Sequence, residues 1–218
     1  MQHEFWYERW EQNQIGFHLA EVNPHLRNFW PTLGLAPHSR VLLPLCGKSV
    51  DMLWLLAQGF QVVGVELSPL AVAAFFEENQ LPASIRSAGE FQVAEIPGLQ
   101  IYCGDFFKLT RQALGHIDAL YDRAALVALP PAMRIDYANH LKQLLSPGQQ
   151  SLLVAFNYQQ VEMAGPPFSV PGEEIASLYA EWCDTELLAT TDILQQEAHF
   201  KARGLSVLYE EVHRLKVR

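Results

Sequence analysis

Val41-Leu-Leu-Pro-Leu-Cys-Gly-Lys-Ser-Val-Asp51, followed by Val62-Val-Gly-Val-Glu-Leu-Ser-Pro69, decides how this chain folds. The first stretch reads as a buried strand, a tight turn and the start of a helix. The second reads as another buried strand that ends in an acid. Glu66 stands 19 residues after Gly47. That is about the spacing at which nucleotide-binding α/β folds set a carboxylate against a ribose hydroxyl. An adenosine-containing small molecule is therefore expected at the carboxyl ends of parallel strands.

Working outward, the pattern alternates strand and helix. Arg40–Leu45 and Gln61–Glu66 are strands, with a helix over Asp51–Gln58 that Gly59 closes. Ser68-Pro69 opens a helix through Asn79, the serine as cap and the proline in the first turn. Residues 85–97 show no clear period. Leu99–Cys103, Ile117–Asp122 and Gln150–Asn157 read as further strands, and Pro131–Leu145 and Glu173–Trp182 as helices. Gly165–Gly172 is a Gly/Pro-rich loop, and Glu186–Leu194 and Leu205–Lys216 close the chain as two strands. Upstream, residues 4–12 and 23–31 are short helices, the latter capped by Asn23 before Pro24. Alternation of this kind implies a parallel sheet covered by helices. The final strand pair implies an antiparallel addition at one edge, which favours a methyltransferase-like sheet over a plain dinucleotide-binding one.

Composition narrows the function classes. The chain has 218 residues, half of them apolar, enough for one large domain with a substantial core. Its net charge of −9 argues against a nucleic-acid partner, which needs clustered Lys and Arg. Cys46, Cys103 and Cys183 are scattered, as in a reducing compartment, and neither they nor the His residues show metal-ligand spacing. No signal peptide and no membrane-length apolar run is apparent, so a cytoplasmic location is expected.

Gly47-Lys48-Ser49 matches the end of a phosphate loop, but the glycine required five residues before Gly47 is Leu42. The three-glycine dinucleotide fingerprint fails as well. What remains is a turn where a ligand can approach the backbone of Leu45, Cys46 and Gly47, or an ordinary strand-to-helix turn. Glu66 is either a ribose ligand or a solvated strand end. Asp105, with Phe106 beside it, can meet an adenine amino group or simply form a turn after Gly104. Arg123 ends a strand on the ligand side; it is a salt-bridge partner of Asp122 or Asp105, or an anion binder. Trp6 and Trp10, four apart, share a helical face that either packs into the core or covers a flat ligand.

Trp6–Trp10, Gly16-Phe17-His18, Pro44-Leu-Cys-Gly-Lys48, Val63-Gly-Val-Glu66 and Asp122-Arg-Ala-Ala-Leu-Val127 together resemble the thiopurine S-methyltransferase family, in its bacterial form. Gly165-Pro-Pro-Phe168 and the closing Gly204–Leu215 stretch add to the match, which spans nearly the whole chain. The resemblance implies a class I α/β fold: a seven-stranded, mostly parallel Rossmann-like sheet with helices on both faces and an antiparallel last strand. It implies one domain over residues 1–218, with residues 1–35 as a helical lid. It also implies a monomer that moves the methyl of S-adenosylmethionine to the sulfur of an aromatic or heterocyclic thiol. S-adenosylhomocysteine is the product, and selenium or tellurium compounds are further acceptors in detoxification.

By position, Trp10, Leu45, Glu66 and Arg123 would contact the cofactor or its surroundings. Trp6 and Phe17 would cover it, and Asp105 and Phe106 would frame the adenine. Arg123 would also face the thiol and steady its anion, with a water beside Asp122 or Asp105 taking the proton. The second arginine of the animal members has no assigned match at Lys201 or Arg203. The competing readings are a nicotinamide-dependent oxidoreductase and a non-enzymatic ligand-binding α/β protein.

Overall fold

A computed structural model describes residues 3–218. In chain order the elements are α1 (His3–Glu11), α2 (Pro24–Phe29), β1 (Arg40–Pro44), α3 (Asp51–Ala57), β2 (Gln61–Glu66), α4 (Pro69–Glu78), β3 (Ser84–Ala88), β4 (Phe91–Ile96) and β5 (Leu99–Cys103). They continue with α5 (Arg111–Leu114), β6 (Ala119–Arg123), α6 (Pro131–Leu144), β7 (Gln150–Asn157), α7 (Gly172–Tyr179), β8 (Cys183–Asp192), α8 (Ala198–Ala202) and β9 (Tyr209–Val217). The chain divides into two compact units, and the division falls inside β6, between Tyr121 and Asp122.

In the first unit β1 pairs in parallel with β2 and β6, and β2 in parallel with β5. Val41, Leu42, Leu43, Val62, Val63 and Val65 are all buried. Strands covered on both faces have no solvent side, which explains their unbroken apolar runs. Gly64 interrupts that run for a packing reason: a Cβ there would lie 2.7 Å from Cys46 Sγ and 3.1 Å from Met52 Sδ.

The helix starts follow local chemistry. Asn23 Oδ1 accepts the N–H of His25 at 2.8 Å and caps α2, and the Ser68 hydroxyl caps α4. Asp51, at the first turn of α3, is buried and accepts the Asn23 N–H at 2.8 Å and the Tyr121 hydroxyl at 3.0 Å. This one carboxylate ties the α2 cap, the start of α3 and the middle of β6 together.

Nine strands are described, where seven are expected from the sequence. The two additional ones, β3 and β4, fill residues 84–96 as an antiparallel hairpin that β4 joins to β5. Ala88 faces Phe91 across a two-residue turn whose first position is Gly89, at φ +62°. A positive φ there suits the twist of a tight hairpin, and glycine adopts it without a Cβ clash.

In the second unit β9 lies between β7 and β8 and is antiparallel to both. The closing strands are shifted from their expected bounds, to Cys183–Asp192 and Tyr209–Val217. Leu205 and Leu208, expected at the head of the last strand, instead enter a small core with Tyr158, Met163, Leu194 and Phe200.

Candidate functional site

The register of β1, β2 and β5 sets Pro44 opposite Val65 and Glu66 opposite Cys103, so their carboxyl ends stop level with one another. The chain leaves β1 through a turn that is left-handed at both Leu45, φ +48°, and Gly47, φ +53°. A non-glycine residue in that region is strained, and such strain persists only where surrounding bonds hold it. Here the Cys46 N–H donates to the Val65 carbonyl at 3.0 Å. The Gly47 N–H donates to Glu66 Oε2 at 2.8 Å, and the Ser68 N–H to Oε1 at 2.8 Å.

Glu66 is therefore no solvated strand end. It is buried and clamps the turn to the strand it terminates. Burial pushes its carboxyl above the usual range, while the N–H groups of Ser68, Gly47 and Leu67 pull it back. Lys48, the phosphate-loop look-alike, has both Glu78 oxygens at 2.6 and 2.8 Å and anchors the turn to the end of α4.

Over the turn lie aromatic rings. A Cβ on Gly47 would come within 3.3 Å of the Trp10 indole and 3.9 Å of the Phe17 ring. Phe17 packs edge-on against Trp6 and Trp10, with centroids 5.9 and 5.6 Å away. Yet no residue of α1 is buried. The Trp6/Trp10 face thus covers the turn without entering the core.

Asp105 follows β5 and caps the short helical turn Phe106–Lys108, its Oδ1 accepting the Phe107 N–H at 2.9 Å. Its Oδ2 lies 3.6 Å from His3 Nε2 on α1. Phe106 is buried. The structure thus gathers Trp6, Trp10, Phe17, Leu45, Glu66, Asp105 and Phe106 in the first unit. It adds Tyr7, which the sequence reading passed over. Burial raises its phenol pKa first, and Cys103, Glu4, Glu66 and Asp105 add to the rise. Its helical spacing from His3 and Trp10 is the signal that would have marked it.

In the second unit, Asp122 and Arg123 end β6. Asp122 is 0% exposed; it accepts the Tyr137 hydroxyl at 2.7 Å and the Leu126 N–H at 3.2 Å. Burial raises its carboxyl to about 6 against the pull of those donors. The turn it caps places Ala124 at φ +65°, directly after Arg123. Asp122 thus faces inward and shapes the backbone that carries Arg123. Among the described residues no group of three or more His, Cys, Asp or Glu is placed to hold a metal ion. No described helix is long and apolar enough to cross a membrane.

The model of the thiopurine S-methyltransferase family matches residues 1–218. Proteins named thiopurine S-methyltransferase from Pseudomonas fluorescens and Nitrosospira multiformis are 50% and 48% identical over 218 residues, which is 100% of this chain and 100% and 99% of theirs. Among solved structures, a Burkholderia thailandensis 1,6-didemethyltoxoflavin-N1-methyltransferase, with bound 1,6-didemethyltoxoflavin and S-adenosylhomocysteine, superposes with a TM-score of 0.64 at 16% identity, over 99% of this chain and 87% of that one. An S-adenosylmethionine-dependent methyltransferase from Methanosarcina mazei gives 0.63 at 13%, over 90% and 99%. At those identities the structural likeness is one of fold, the Rossmann-like α/β fold of class I methyltransferases.

Proposed function

The chain belongs to the thiopurine S-methyltransferase family, and from that premise we propose that the strand-end site transfers a methyl group from S-adenosylmethionine to the sulfur of an aromatic or heterocyclic thiol. The observation that carries the reading is the buried Glu66 carboxylate beside the Gly47 turn, under Trp10 and Phe17. The site's own chemistry fits the cofactor. A carboxylate has about four acceptor positions, and the N–H groups of Gly47, Leu67 and Ser68 leave capacity for a donating ribose hydroxyl. Asp105 and Phe106 offer an acceptor and a flat ring for the adenine. When bound, the cofactor supplies a methyl group already activated on a sulfonium.

The protein's work is then alignment and exclusion of water. Glu66 and the Leu45–Gly47 turn fix one end of the ligand. Trp6, Trp10 and Phe17, on α1 and the segment after it, keep solvent out as a lid; α2, expected from the sequence to be part of that lid, belongs to the core instead, with Leu26 and Trp30 buried and Asn23 bonded to Asp51. Arg123 holds the substrate sulfur as its anion, because a fixed guanidinium favours the charged form. The departing proton passes to water, since Asp122 is shut away from the site and Asp105 is engaged with the adenine. We further propose that the chain acts as a monomeric cytoplasmic domain without a nucleic-acid partner, in keeping with its net charge of −9, and that it serves detoxification.

The test is methyl incorporation from labelled S-adenosylmethionine into a panel of thiol, selenol and tellurite acceptors. Transfer to aromatic thiols is expected, and its absence across the panel overturns the proposal. The nicotinamide alternative is disfavoured by the single-glycine turn. Calorimetric heat with S-adenosylhomocysteine but none with NADH is the expected companion result.

A further inference from the structure

Two contacts place α1 over the ligand site, and Tyr7 stands between them. His3 reaches Asp105, with Nε2 3.6 Å from Oδ2. Trp10 lies on the α-carbon of Gly47, the residue whose N–H Glu66 accepts. His3, Tyr7 and Trp10 are four and then three residues apart, so they occupy one face of the helix. Tyr7 therefore projects over the gap between Asp105 at the end of β5 and Glu66 at the end of β2. Its hydroxyl makes no hydrogen bond to any other described residue. It is also half-buried, so it spends part of its hydration on no protein partner.

We propose that the Tyr7 hydroxyl is a ligand-binding group that donates a hydrogen bond to the adenosine portion of the cofactor when α1 covers it. This rests on the functional reading above, which sets the ribose at Glu66 and the adenine at Asp105. The polarity follows from the surroundings. Burial, with Cys103, Glu4, Glu66 and Asp105 adding to it, keeps the phenol protonated, so its O–H stays available to donate. A donor from the lid complements a floor whose carboxylates can only accept. The residue thereby links coverage to the presence of the nucleoside.

The variant is Tyr7→Phe, which keeps the ring and removes the donor. Calorimetry with S-adenosylhomocysteine and with adenosine is compared between wild type and variant, alongside thermal unfolding without ligand. Loss of one neutral hydrogen bond should weaken both ligands by about three- to tenfold. The unliganded melting temperature should not move, because the hydroxyl has no protein partner to lose. Unchanged affinities overturn the proposal. So does a loss confined to S-adenosylhomocysteine, which would place the contact on its amino-acid end. A fall in unliganded stability that matches the affinity loss would make Tyr7 a packing residue instead. Wild-type protein that binds neither ligand would overturn the functional reading itself, and this proposal with it.

Discussion

Glu66 clamps the Gly47 turn, and at the residue scale its proposed contact with the ribose can be read apart from that clamp. Glu66→Gln keeps the shape but puts an amide donor against the N–H of Gly47 or Ser68. Hydrogen bonds to a charged acceptor are worth on the order of 1.5–3 kcal/mol. S-adenosylhomocysteine affinity should fall about tenfold or more, with a measurable loss of stability that a pure ribose ligand would not cause; calorimetry and thermal melts read the two. For Arg123, replacement by Ala should lower turnover sharply and by Lys only in part, because a point charge lacks the planar fork. The loss should grow as the thiol becomes less acidic, since only a protonated thiol needs help ionising. Turnover across thiols of graded acidity checks this, and a uniform loss would reassign Arg123 to the cofactor. The sequence placed Glu66 and Gly47 at a telling spacing, but spacing alone does not join a carboxylate to a particular N–H. That contact exists only once β1 and β2 pair.

At the scale of elements, α1 carries no buried residue, and the proposed lid role makes its stability depend on the ligand beneath it. Hydrogen exchange over residues 3–20 should slow when S-adenosylhomocysteine is added, because an uncovered helix with no buried side chain opens cheaply. Equal protection with and without ligand would make it a fixed part of the scaffold. Legibility at this scale followed burial. The runs of β1 and β2 are apolar because both faces are covered, and Asn23 and Ser68 mark their helices through cap bonds that local sequence dictates. β3 was illegible because almost all of it is exposed: Ile85 is 72% exposed, so no alternation betrays the strand. The last strand starts late for the opposite reason. Leu205 and Leu208 look like strand residues but are claimed by a local core around Phe200.

For the molecule as a whole, Asp122 sets a pH dependence of folding. Its carboxyl is raised from 3.8 to about 6, so the fold favours the protonated form. That contribution is fully present below about pH 4 and is lost as pH rises through about 6. The shift corresponds to about 3 kcal/mol, using roughly 1.4 kcal/mol per pKa unit. Asp122→Asn should therefore lack this part of the decline, and melting temperatures of the two proteins compared from pH 4 to 7.5 should converge at the acid end. Parallel curves would mean that Asp122 does not titrate in that window. Nothing in the order of Tyr121-Asp122-Arg123 announces which side chain faces inward; the Tyr137 hydroxyl decides it, from a helix that begins eight residues further on.

The edge-on stacking of Phe17 on Trp6 and Trp10 has a consequence for timing. Each aromatic pair contributes about 0.5–1.5 kcal/mol. Removing both by Phe17→Ala, together with the ring's contact over the Gly47 turn, should shift the balance between covered and uncovered states by about five- to 150-fold. If departure of the spent nucleoside limits the cycle, that variant would release it sooner and turn over faster at saturating substrate, while binding it more weakly. Dwell time would then be written into three ring edges and not into the depth of the site.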